Sequence, residues 1–185
     1  MIDSAIKQFK YYKMLGEKAM TQVSDEVLFY AKNDSDNAVA TIVKHLHGNM
    51  MSRWTNIFTE DGEKPWRKRD AEFEPLEGGR EAMMEAWEEG WNTVFAALES
   101  LSDEDVNRII YIRNDGMTVA DAIIRQLCHY AYHVGQIVYV CKENSGDSWQ
   151  SLSIPKNQSQ SYNFKKFEEV KAKRHFLDSL MDEGK

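Results

Sequence analysis

Apolar side chains recur at spacings of three and four along four long stretches of the chain, with polar and charged residues on the faces between them. That period is the signature of amphipathic α-helices. The first stretch, residues 2–22, lines up Ile6, Phe9, Lys13 or Met14, and Met20, and lysines fill the opposite face. Ser24-Asp25-Glu26 then offers a capping side chain and first-turn acids for a short helical turn. The cap formers Asn33 to Asn37 precede a second long helix, Ala38 to Phe58, whose stripe includes Val39, Ile42, Leu46, Met50 and Ile57. A third runs from about Arg80 to Ser100, and its Met83, Met84, Trp87 and Trp91 read as core or interface. The fourth begins at Thr118 or Asp121 and continues to about Glu143. Its apolar face holds Val119, Ile123, Ile124, Leu127, Val134 and Val138, and Tyr130, Tyr132 and Tyr139 extend that face nearly all round. Such a helix is expected to be buried on most sides.

The segments between are also informative. Residues 59–79 break the period with Asp-Gly, two prolines and Gly78-Gly79, a connection longer than usual. The stretch 61–74 has two readings. It can cover a site, with Trp66, Arg67, Lys68 and Arg69 meeting an anionic substrate, or it can be a solvated connection anchored by an aromatic. The second is the commoner fate and the one favoured here. Residues 109–119 form a β-rich run, an Asn-Asp-Gly turn and a second short run, which predicts a small hairpin. A polar segment, Asn144 to Asn163, leads to a charged tail helix, Phe164 to Met181. The predicted fold is all-α: an antiparallel four-helix bundle over a single domain, 1–185. A hairpin precedes its last helix, a tail helix follows, and about two-thirds of the residues are helical.

Composition narrows the function. With 185 residues, 42% of them hydrophobic, the chain can bury a sizeable core, and only 10 Gly and 3 Pro interrupt it. A net charge of −7 repels polyanions, so no nucleic-acid partner is expected. No run approaches the ~20 apolar residues of a membrane span, so no membrane partner is expected either. Asp3, Lys7, Gln8 and Lys10 interrupt the apolar core that a signal peptide would need. Cys128 and Cys141 fall on one helix, about 20 Å apart, beyond disulfide reach. Both read as buried free thiols, Cys128 pointing about 100° away from His129, and a reducing, cytoplasmic location is expected. The 5 Trp and 9 Met exceed what one bundle readily hides, which suggests a homodimer.

The most specific local signal is His129-Tyr-Ala-Tyr-His133, two histidines at i and i+4 on one helical face. Both imidazoles can reach a single metal ion. The glutamate of the zinc-protease pattern is absent, and with it the built-in general base. Helix two offers His45 and His47, about 200° apart around the axis, so only one can face such an ion. The helical wheel places His47 nearer the apolar stripe, roughly 60° from its centre against roughly 140° for His45. His45 instead shares a polar strip with Asn49, Ser52, Arg53 and Asn56, of the kind that lines a wet site. The pattern alone leaves both open. Arg53 can pair with a substrate carboxylate or, more commonly, with a nearby acid. His175 reads as a solvated surface residue.

The segments Ile42-Val-Lys-His45-Leu-His-Gly-Asn49-Met and Arg125-Gln-Leu-Cys-His129-Tyr-Ala-Tyr-His133-Val-Gly-Gln136 together resemble the DinB-like four-helix-bundle superfamily. The similarity is greatest to a bacterial branch in which Asp61-Gly-Glu-Lys-Pro-Trp66 recurs, and it covers about residues 5–165. It implies a divalent metal held by one histidine of the second helix and the last helix's pair, mapped here onto His45, His129 and His133. This chain departs from the pattern in carrying His47 where the family has a small residue. Three neutral imidazoles leave open metal positions, and nickel, zinc and iron all accept them. The resemblance implies an enzyme acting on a small-molecule substrate, an S-transferase with a low-molecular-weight thiol as co-substrate or a hydrolase, with Asn49 and Arg53 toward the substrate. A non-catalytic metal-binding or interaction bundle is the alternative. No catalytic base is assigned.

Overall fold

Each long periodic stretch folds as a helix in the computed structural model, which describes residues 1–178. In chain order the helices are α1 (Ile2–Met20), α2 (Asp25–Phe29), α3 (Val39–Trp54), α4 (Gly79–Glu99), α5 (Val119–Ser145) and α6 (Ser159–Glu168). Strands β1 (Ile109–Ile112) and β2 (Asp115–Thr118) pair antiparallel before α5, with Ile109 opposite Thr118 and Ile112 opposite Asp115. The fold is mostly helical, at 61%. No helix among the described residues is long and apolar enough to cross a membrane.

One apolar core joins α1, α3, α4 and α5. Its centre is aromatic: the Phe9 and Tyr130 rings lie 5.7 Å apart and those of Trp91 and Tyr130 5.6 Å apart. Trp54 Nε1 donates to Tyr130 Oη at 2.9 Å, and Tyr130 Oη donates to Asn49 Oδ1 at 3.2 Å, so the polar tips of Trp54 and Tyr130 are paired, whereas the buried Trp91 Nε1 has no partner among the described residues. Met83, Trp87 and Trp91 point into this core and are not a surface seam. The N-cap of α5 is Thr118, whose hydroxyl accepts from Asp121 N at 3.0 Å.

Several local expectations need correction. α3 stops at Trp54 and not at Phe58, because Asn56 takes a positive φ of 49° and its Nδ2 donates to Glu60. The hairpin turn is Arg113-Asn114, both at positive φ, one residue earlier than the Asn-Asp-Gly reading. Such a two-residue turn matches the twist of the strands. α5 is exposed along one side, at Ile124, Tyr132 and Tyr139, so it is not buried on most sides. Cys128 lies on that side and is exposed, whereas Cys141 is buried. The tail helix runs over Ser159–Glu168, not Phe164 to Met181. Beyond Glu168 the basic run Lys171, Lys173 and Arg174 offers no apolar stripe. The chain then turns to bury Leu177 and to bring Asp178 to Lys7, with Nζ and Oδ1 2.5 Å apart. Residues 179–181 of the expected helix lie outside the described part.

Candidate metal centre

α3 and α5 bring three of the sequence's histidines to one place. His45, His129 and His133 each offer a ring nitrogen, and these nitrogens all lie within 4.8 Å of one another. The i, i+4 spacing on α5 does part of this: Nε2 of His129 and Nε2 of His133 are 3.1 Å apart. Two ligands at 2.0–2.1 Å from a shared ion stand roughly 3–3.4 Å apart, so this pair already has the required separation. His47 points elsewhere. Its Nε2 meets Glu89 Oε2 of α4 at 2.8 Å, away from the cluster.

The residues around the histidines set their tautomers. His45 Nδ1 lies 2.8 Å from Glu72 Oε2, so Nδ1–H donates to the carboxylate and Nε2 keeps its lone pair for a metal. His133 Nδ1–H donates to Gln136 Oε1 at 2.7 Å, which frees its Nε2 in the same way. Burial, and then the neighbouring imidazoles, push His129 down to about 3; burial above all takes His133 down to about 4. Both rings are therefore neutral at pH 7, the form that binds metals. The donor set fits a divalent transition ion.

Glu72 is the residue beside the histidines that the sequence reading missed. It sits on a short 3-10 turn, Asp70–Phe73, in the connection between α3 and α4. Arg67 grips it with two bonds, Nε to Oε1 at 2.7 Å and Nη2 to Oε2 at 2.9 Å. Burial works to raise the Glu72 carboxyl, but Arg67 and His45 outweigh it and hold the group below the usual carboxylate range. Phe73 stacks on the His45 ring with centroids 5.1 Å apart. The stretch 61–74 is thus a strap packed inward at Gly62, Lys64, Arg67 and Glu72, with a solvated outer face at Pro65, Trp66 and residues 68–71. The Arg67 and Lys64 side chains are almost fully buried within it. Trp66 is 55% exposed, so the aromatic contact of the strap is made by Phe73.

Two further contacts fix the strap. Asp61 accepts from the backbone N–H groups of Arg113 and Asn114 at 2.8 and 2.9 Å, which docks it on the hairpin turn. Glu63 takes Arg53 at 2.9 Å and Arg113 at 3.0 Å. Arg53, expected toward the substrate, therefore has an acid as its partner, and it also donates to Gly62 O and Ser52 Oγ. Asn49, the other residue expected there, is buried beside the cluster and bonded to Tyr130.

Residues 1–158 match a family described as "Protein of unknown function (DUF1572)". The chain belongs to that family. No curated protein and no solved structure matches it. The three histidines, Glu72, Arg67 and Gln136 all fall within the part of this DUF1572 chain that the family match covers.

Gly48 shows how tightly the strap sits on α3. A Cβ at this position would overlap the Glu72 carboxylate. In an open helix Gly→Ala stabilises by up to about 1 kcal/mol. Here Gly48→Ala is expected to displace Glu72, lower metal affinity and give no gain in stability. Metal titration with thermal melts checks it, and a more stable variant with unchanged affinity would contradict it.

The depressed histidines also set a pH window. A base whose folded-state pKa lies below its unfolded value of 6.5 leaves the unfolded chain binding more protons as pH falls. Stability is complete above pH 6.5 and is lost progressively toward about 4 and then 3. Metal-free protein in chelator should therefore melt at falling temperature from pH 6.5 to 4. The slope should be shallower when His129 and His133 are both glutamine. Equal slopes would contradict this.

Proposed function

We propose that this chain is a DinB-like, metal-dependent enzyme on an antiparallel four-helix bundle, acting on a small molecule as a thiol-dependent S-transferase or a hydrolase. The observation that carries the reading is the convergence of three imidazoles, two of them oriented by a carboxylate and an amide. Three protein ligands are the number that leaves a metal open to substrate or water. A bound divalent ion (nickel, zinc or iron) would polarise a substrate, activate water or hold a thiolate there. His45, His129 and His133 would hold it. Glu72 and Arg67 keep His45 in its ligating tautomer, and Gln136 does so for His133.

One observation favours the second reading, a non-catalytic metal-binding bundle. The carboxylate nearest the histidines, Glu72, has both oxygens engaged by Arg67 and His45, so it positions a ligand and is not placed to move protons. Metal analysis after chelator-free purification, followed by a thiol-conjugation assay against electrophilic substrates and an ester and amide hydrolysis screen, separates the two. Stoichiometric metal with metal-dependent turnover supports the enzyme; stoichiometric metal without turnover supports the bundle. Trp54, Trp87, Trp91, Met20, Met50 and Met83 are buried within the chain, so the Trp and Met count no longer argues for the homodimer, and light scattering at micromolar concentration measures the oligomeric state directly.

A further inference from the structure

A cavity of about 790 Å³ opens beside the metal centre, where the segment after α2 crosses α5. That volume is within the range of small-molecule sites. Its floor includes Gly135, in the middle of α5. A Cβ built there meets nothing within 4 Å, so any side chain would stand in the cavity. Glycine is a poor residue for a helix interior, and no packing neighbour requires it here. Tyr132 and Tyr139 line the cavity on either side of Gly135, about 10 Å apart along the helix axis, and both are exposed. They form walls with a gap between them.

The charges of the lining are of both signs. Lys32 and Glu143 line the cavity, and neither has a salt bridge among the described residues. Asp36, also in the lining, already accepts from Asn33 Nδ2 at 2.7 Å. Gln136 connects the cavity to the metal centre: its Nε2 donates to Tyr132 Oη at 3.3 Å while its Oε1 holds His133 Nδ1.

We propose that this cavity binds a small zwitterion with an apolar body, of the α-amino-acid class. The carboxylate pairs with Lys32, the ammonium with Glu143, and the apolar body lies over Gly135 between Tyr132 and Tyr139. The tyrosine faces favour both an apolar group and a nearby ammonium. The inference rests on the cavity and does not require that the histidines hold an ion. Through Gln136, an occupant would bear on the orientation of His133.

The test is calorimetric titration of the full chain with L-phenylalanine, L-leucine and L-methionine. Phenethylamine and hydrocinnamate, each lacking one charge, serve as controls. Saturable binding of at least one amino acid is expected, with both controls about tenfold weaker or more. Gly135→Leu fills the floor without displacing a neighbour and should weaken binding by about tenfold or more, with helicity and metal content unchanged. Lys32→Ala and Glu143→Ala should weaken the amino acid but leave the control that lacks the corresponding charge unaffected. Absence of saturable binding to wild type would overturn the proposal, as would equal binding of the controls or undiminished binding to Gly135→Leu. Because metal content is read separately, these outcomes do not bear on the metal centre.

Discussion

Alanine at His45, His129 or His133 is expected to remove most bound metal, whereas alanine at His47 leaves the metal content near that of wild type. The three residues supply the only group of three potential ligands that converge among the described residues. Taking one away leaves two imidazoles, and the loss should exceed the 10–100-fold typical of removing an outer partner. Stability should follow. An ion that binds only the folded chain contributes about 2.7 kcal/mol at a hundred times its dissociation constant, and that contribution disappears with the ligand. His47 faces Glu89 instead, in an exposed pair whose loss costs about 1 kcal/mol at most. Metal stoichiometry and thermal melts across the four variants, with and without chelator, check this. Metal retained in His45→Ala and lost in His47→Ala would reverse the assignment.

Glu72→Ala is expected to lower metal affinity by about 10–100-fold without removing a ligand. Two consequences combine. His45 loses the acceptor that fixes its Nδ1–H, so its ring is free to turn or to change tautomer. Arg67, with a side chain 2% exposed, loses its bidentate partner and keeps only the longer contact to Glu63 at 3.5 Å. A buried guanidinium left underpaired should cost about 2–3 kcal/mol of stability. Glu72→Gln keeps an acceptor for His45 and should lose less affinity than Glu72→Ala, while still weakening the grip of Arg67. Arg67→Ala should resemble Glu72→Ala in stability but retain more metal. Competitive metal titration and denaturant melts measure both effects. Unchanged affinity in Glu72→Ala would remove the strap from the account.

The helices were legible because their stripes repeat over sixteen residues or more, and the i, i+4 pair on α5 announced itself by spacing alone. The choice between His45 and His47 was not legible from the wheel. That projection sees only apolar positions on α3, and His45 is buried by a strap that is neither helix nor strand. The polar strip Asn49, Ser52 and Arg53 was the better signal, because those residues meet the strap and the buried Tyr130 hydroxyl. Glu72 had no signal at all. It lies 27 residues from His45, in a stretch whose charges read as solvated, and only the fold brings Arg67, Glu72 and Gly48 into register. The exposed side of α5 was misread for a related reason: Ile124, Tyr132 and Tyr139 are apolar or aromatic, but periodicity cannot distinguish a core face from the wall of a cleft.

The central claim is that His45, His129 and His133 together hold one divalent ion. An anomalous difference map from a crystal of wild-type protein, purified without chelator and supplied with nickel, zinc or ferrous ion, tests it most directly. The account predicts one strong peak about 2.0–2.1 Å from Nε2 of each of the three histidines, with Glu72 still bonded to His45 Nδ1. No peak at that position, or a peak at His47 and Glu89 instead, would contradict it.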